Sequence, residues 1–171
     1  LMSILSQSTI SKKISLSGVG VHTGKKVNIN ILPSPPNSGI VFKRIDLDRN
    51  NIVIPSFENV TDPTLCTTIS NDFGIKVSTI EHLMAAFLGL GIDNAIVEVD
   101  AQEIPILDGS AKDFIKILKK TGLKNSGVPI KLIKINNFIE FMDGDKYISL
   151  DKSNTKLEIE FEINYENPLI K

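Results

Sequence analysis

The sequence predicts an α+β protein, and three observations carry that expectation. Apolar residues alternate with period two in several short runs, as at Val27, Ile29 and Ile31. Two segments, opening near Ser78 and Ser110, switch to helical spacing. Beyond about residue 130 the pattern is strand-like only.

The elements follow in order. Residues 18–24 hold Gly18, Gly20 and Gly24, a tight turn whose backbone approaches something closely. A strand at 27–31 follows, then a loop at 33–39 rich in Pro, Ser and Asn, and strands at 39–44 and 65–70. Ser78 with Glu81 three residues on reads as a capping box. Ile80, Leu83, Met84, Phe87 and Leu88 then form the buried stripe of a helix that Gly89 and Gly91 end. Residues 95–99 are a strand. Ser110 with Asp113 opens a second helix, whose buried side is Phe114, Ile115 and Leu118 and which Gly122 ends. Its Lys119 and Lys120 suit the negative helix end. Residues 125–129 read as a linker between a first domain, 1–124, and a segment 130–171. That segment holds strands at 131–141, 146–150 and 157–163, the first two joined by the turn Asp143-Gly144-Asp145. Three strands with one apolar face need a cover that the chain does not supply, so 130–171 is expected to be the incomplete start of a second domain.

The 171 residues suffice for one ordinary domain or two small ones, and 42% hydrophobic with 23% charged residues is a folded, soluble composition. A net charge of −1 argues against nucleic acid or an anionic membrane as a general partner. The one cysteine, Cys66, excludes an internal disulfide and suits a reducing compartment. No secretory signal pattern opens the chain, and no apolar run nears the roughly 18 residues that span a bilayer. A cytoplasmic setting is expected.

Chemistry concentrates at Ser78-Thr79-Ile80-Glu81-His82. Glu81 reads either as the partner of the Ser78 cap or as a general base leaning over the helix start. His82 points away from the apolar stripe, as a surface histidine or as a metal ligand. The zinc-protease pattern of two histidines four apart is absent, because position 86 is Ala. His22, Cys66 and His82 form an acceptable zinc set by ligand type, although Cys66 in a strand is also a small buried hydrophobe. Asp108-Gly109-Ser110 reads as a turn with cap chemistry.

These motifs together resemble one family, the zinc-dependent UDP-3-O-acyl-N-acetylglucosamine deacetylases of lipid A biosynthesis. The matching segments are Gly18-Val-Gly-Val-His-Thr-Gly24, Leu65-Cys-Thr, Ser78-Thr-Ile-Glu-His-Leu83, Gly89-Leu-Gly-Ile-Asp-Asn94 and Glu103-Ile-Pro-Ile-Leu-Asp-Gly-Ser-Ala111. Asp143-Gly-Asp-Lys146 and Ile163-Asn-Tyr-Glu-Asn-Pro168 also fit. The resemblance implies a two-layer first domain, a mostly antiparallel sheet with two helices on one face, followed by the first antiparallel strands of a second, similar domain. It implies Glu81 as the catalytic general base, His82 as a zinc ligand, and Leu65, Cys66 and His22 beside the substrate, a UDP-linked acylated amino sugar. Zinc would polarise the acetamide carbonyl and activate water.

The departure from the family lies downstream. The family's His-Lys-x-x-x-Asp element supplies two further zinc ligands and a lysine, and another histidine acts as the acid; this chain has no histidine after His82. The sequence therefore reads as the amino-terminal portion of the enzyme. Alone it is expected to be inactive, to bind zinc weakly, and to self-associate or pair with a missing carboxy-terminal half. The alternative is a non-catalytic binding or assembly module that kept the fold.

Overall fold

A computed structural model describes residues 5–153 and 157–163. The chain divides into two compact units, 1–130 and 131–171.

The first unit contains β1 (Ser6–Ile10), β2 (Ile14–Val19), β3 (Lys26–Pro33), β4 (Ile40–Arg44), β5 (Ile52–Val53), a 3-10 turn at Phe57–Asn59, β6 (Val60–Asp62), β7 (Thr68–Ser70) and β8 (Lys76–Val77). Then come α1 (Glu81–Leu90), β9 (Ala95–Val99), α2 (Lys112–Thr121) and β10 (Leu123–Pro129). The main sheet runs β2-β3-β9-β4-β5, antiparallel except where β4 lies parallel to β9. A small antiparallel sheet orders β6-β7-β8, and β1 pairs antiparallel with β10.

One face of the main sheet is apolar because side chains alternate along each strand. Register aligns Ile14, Ile31, Val97, Phe42 and Val53 in a row across all five strands. All five are buried. Leu83, Ala86 and Phe87 of α1 and Phe114 and Leu118 of α2 join the same core. Each of the Leu and Phe side chains among them contributes roughly 1.5–3 kcal/mol on burial. The opposite face is mixed: Ser15 donates to Asn30 and Asn30 to Glu98, beside a half-buried apolar row of Leu32, Ile96 and Val41. A sheet with both helices packed on one face makes the expected two-layer α+β domain.

Local details differ from the sequence reading. Leu88 is exposed, and Ala86 takes its place in the buried stripe. Gly89 stays within α1, and Gly91, at φ +67°, ends it in the left-handed conformation. Residues 125–129 are not a linker: they belong to β10, where Ser8 faces Asn125 and the Ser126 hydroxyl donates to Gln7 O. Polar, glycine-containing composition here marks an edge strand rather than free chain.

The second unit has β11 (Ile139–Asp143) and β12 (Lys146–Leu150), an antiparallel hairpin. Gly144 at φ +61° opens its two-residue turn, as expected for Asp143-Gly144-Asp145. The longer strand at 131–141 shortens to β11, and described residues 157–163 form no strand. A strand pattern becomes a strand only against a hydrogen-bonding neighbour, and within this unit β11 and β12 pair only with each other among the described residues. The expected match at 163–168 lies, apart from Ile163, outside the described residues. No described helix is long and apolar enough to cross a membrane.

Candidate active site

The site is built around the entry to α1. Arg44, at the end of β4, donates to Lys76 O at 2.9 Å and so fastens β8 to the main sheet. Beyond β8, Ser78 pairs with the strap 102–104: its N–H donates to Gln102 O at 2.8 Å, and its carbonyl accepts the Ile104 N–H at 3.0 Å. Thr79 then takes φ +58°, a left-handed conformation unusual for a β-branched residue. This reversal delays the helix to Glu81.

The capping box is therefore not formed. No side chain caps α1. The Ser78 hydroxyl donates to Gln102 O at 3.3 Å, and Glu81 Oε2 accepts the Thr67 N–H at 3.1 Å. Tertiary partners on the strap and on the 65–67 segment outcompete the local cap. Ser110 behaves nearer to expectation, its hydroxyl accepting the Lys112 N–H at 3.1 Å at the start of α2 while Asp108 accepts from Ser110.

His82 Nε2 lies 3.9 Å from Glu81 Oε1, with the side chains 29% and 36% exposed respectively. The imidazole sits at the flank of the buried stripe, one turn before buried Ala86, rather than fully opposite it. Among the described residues it makes no hydrogen bond. Leu65 and Cys66 adjoin this pair through Thr67, whose carbonyl also accepts the Ile80 N–H at 3.5 Å. Leu65, at φ +60° and 87% exposed, presents a bare apolar side chain. Cys66 is half-buried, its Sγ 3.5 Å from Thr68 Oγ1.

The glycine turn encloses a carboxylate that the sequence reading gave no role. Glu103 Oε1 accepts the His22 N–H at 2.9 Å and the Thr79 hydroxyl at 3.1 Å. Its Oε2 accepts the Thr23 N–H at 2.9 Å and the Thr23 hydroxyl at 2.6 Å. A Cβ on Gly20 would fall 2.2 Å from Glu103 Oε2, so the close approach expected of this turn is to Glu103. Burial alone would raise the Glu103 pKa; the hydrogen bonds from His22, Thr23 and Thr79 outweigh it and hold the carboxyl below its ordinary value. A signal for this residue existed in the sequence: one acid set in an apolar strap, Ile104-Pro105-Ile106-Leu107, opposite a turn with amides to satisfy.

The structure thus joins Glu81 and His82 directly and brings Leu65 and Cys66 beside them. His22 is linked by its backbone, through Glu103 and Thr79, while its side chain is exposed. Among the described residues no three His, Cys, Asp or Glu side chains group to hold a metal, so the set His22, Cys66 and His82 is not assembled.

Comparison with known proteins identifies the family and relatives that this chain resembles. The family model LpxC, UDP-3-O-acyl N-acetylglycosamine deacetylase, matches residues 7–171. The chain is 47% identical over 164 residues to the UDP-3-O-acyl-N-acetylglucosamine deacetylase of Shewanella denitrificans, covering 96% of this chain and 53% of that protein. It is 46% identical, with the same coverage, to the proteins of that name from Shewanella baltica and Shewanella violacea. The chain spans about half the length of these curated relatives. With the family model matched along almost the whole chain, this protein belongs to the UDP-3-O-acyl N-acetylglycosamine deacetylase family.

Proposed function

We propose that this chain carries the first-domain catalytic residues of a zinc-dependent deacetylase, which hydrolyses the N-acetyl group of UDP-3-O-acyl-N-acetylglucosamine in the cytoplasm. One observation carries the reading. Glu81 has one oxygen held by Thr67 N–H and the other 3.9 Å from His82 Nε2. That distance exceeds a hydrogen bond, so both atoms remain available to a third atom between them.

Glu81 is the general base. Its Oε2 is fixed by the Thr67 amide, which sets its rotamer, while Oε1 is left to take a proton from water. His82 supplies one nitrogen donor, a type that suits zinc, from the rigid first turn of α1. The described residues fit one corner of a zinc site and the base beside it; the other ligands are expected from a carboxy-terminal half. Zinc, when bound, would polarise the acetamide carbonyl and lower the pKa of water. Attack by the deprotonated water and cleavage of the C–N bond release acetate and the free amine. The leaving nitrogen takes its proton from a histidine outside this chain. Leu65, Cys66 and the turn carrying His22 border the UDP-linked acylated amino sugar.

The test is complementation. Joined to the carboxy-terminal half of a curated relative and loaded with zinc, the chain should release acetate from the UDP-sugar. Glu81→Gln and His82→Ala should each abolish release. Full activity in either variant would overturn the assignment.

A further inference from the structure

We propose that Glu103 is a positioning residue, whose buried carboxylate holds the turn carrying His22 and the entry to the helix carrying Glu81 and His82 in one register. Its relevance to catalysis rests on the deacetylase reading above; the clamp itself rests on geometry. A single oxygen, Oε1, accepts from both segments, the His22 N–H at 2.9 Å and the Thr79 hydroxyl at 3.1 Å. The second oxygen is saturated by Thr23 alone.

Three further observations argue that this carboxylate does more than fill space. Glu103 is 1% exposed, and an ionised group is retained at such a depth only where several donors meet it. Gly20 leaves the volume the carboxylate occupies, since any Cβ there would collide with it. Thr79 is 2% exposed and held at φ +58°, a strained conformation that persists where surroundings over-determine it. The bonds of Ser78 to Gln102 and Ile104, with the Thr79 hydroxyl on Glu103, provide that constraint. Glu81 and His82 follow this reversal within three residues, so the direction of α1's first turn depends on it. Glu103 touches neither of them; it acts through Thr79.

The test uses the isotopically labelled 171-residue chain and reads nuclear magnetic resonance signals. In Glu103→Gln an amide nitrogen replaces one acceptor and faces a backbone donor. The His22 or Thr23 amide proton should move upfield, and the Glu81 amide and His82 imidazole signals should move with it. Val97 and Phe42 signals in the sheet should stay. Glu103→Asp, which keeps the charge, should restore part of the wild-type pattern. Glu81 and His82 signals that stay still while those of His22 and Thr23 move would overturn the proposal. Should Glu103→Gln not fold, Thr79→Val removes the hydroxyl and keeps the branched shape. The His22 amide should then shift, whereas Thr79→Ser should leave it in place; an unmoved His22 amide in Thr79→Val would equally overturn it. In the complemented enzyme, Glu103→Gln should lower kcat by roughly 10–100-fold with little change in KM, the size expected of slight misplacement. If the spectra behave as stated but Glu81→Gln leaves deacetylation intact, the clamp stands and the functional reading falls.

Discussion

Glu81 Oε2 accepts the backbone N–H of Thr67 at 3.1 Å, across fourteen residues of chain, instead of turning back to Ser78 in its own helix. The carboxylate therefore anchors the 65–67 segment to α1. It does so with one oxygen, while the other lies 3.9 Å from His82 Nε2.

Glu81→Ala and His82→Ala should consequently cost little stability. Each removes a partly exposed side chain, with at most one hydrogen bond of about 1 kcal/mol lost. Urea denaturation measures this. A loss above about 3 kcal/mol would point to a core role for either side chain.

Zinc affinity of the 171-residue chain should be weak and should disappear in His82→Ala. One protein ligand is far from the three or four of a working site. A competition titration against a coloured chelator reads this directly, and the same preparation should release no acetate from the UDP-sugar. Stoichiometric tight zinc, or turnover above trace rate, contradicts the expectation.

Gly20→Ala and Gly24→Ala should differ in kind. A Cβ at Gly20 meets Glu103 Oε2 at 2.2 Å, so the carboxylate must move and its donors be lost, at about 2–4 kcal/mol. Gly24 sits at φ +64° with nothing near its Cβ position, and only the left-handed strain of about 1–2 kcal/mol applies. Equal melting temperatures for the two variants would contradict the packing around Glu103.

Glu103 also predicts a pH dependence. Its carboxyl is held below the ordinary glutamate value of 4.5, so the unfolded chain binds the proton more readily than the folded one. The stability it contributes is complete above 4.5 and declines as pH falls through the lowered folded value. Wild type and Glu103→Gln should differ at neutral pH by about 1–3 kcal/mol, a gap that narrows in acid. Denaturant midpoints at several pH values measure it; a constant gap argues against an ionised Glu103.

The β11–β12 hairpin should drive association. Ile139 faces Leu150 and Phe141 faces Ile148 on one side of it, and all four are exposed. An uncovered apolar face of this kind seeks a partner, whether a second copy or a carboxy-terminal half. Sedimentation should show a concentration-dependent mass that Phe141→Lys reduces. A strictly monomeric wild type would contradict this.

How much of this was legible depended on the range of the interactions. Residues 95–99 and 27–31 announce themselves because alternation is local, and the observed register buries the anticipated side chains. Phe114 and Leu118 behave likewise in α2. At the start of α1, Ser78 and Glu81 match a cap whose competitors, Gln102, Ile104 and Thr67, are remote in sequence. Composition hides the strand character of residues 125–129 for the same reason: it comes from pairing with β1. Glu103 is harder to read because its four donors lie on two distant segments, whereas Glu81 and His82 stand adjacent in one motif.

The pairing of β1 with β10 also bears on the order of events as the protein is made. The Ser126 hydroxyl meets Gln7 O across 119 residues of chain. Closing so long a loop is entropically costly and kinetically late. β1 is synthesised before β10, so this pairing forms only after Leu123–Pro129 have been made. The pairing thus depends on a strand made near the end of the first unit.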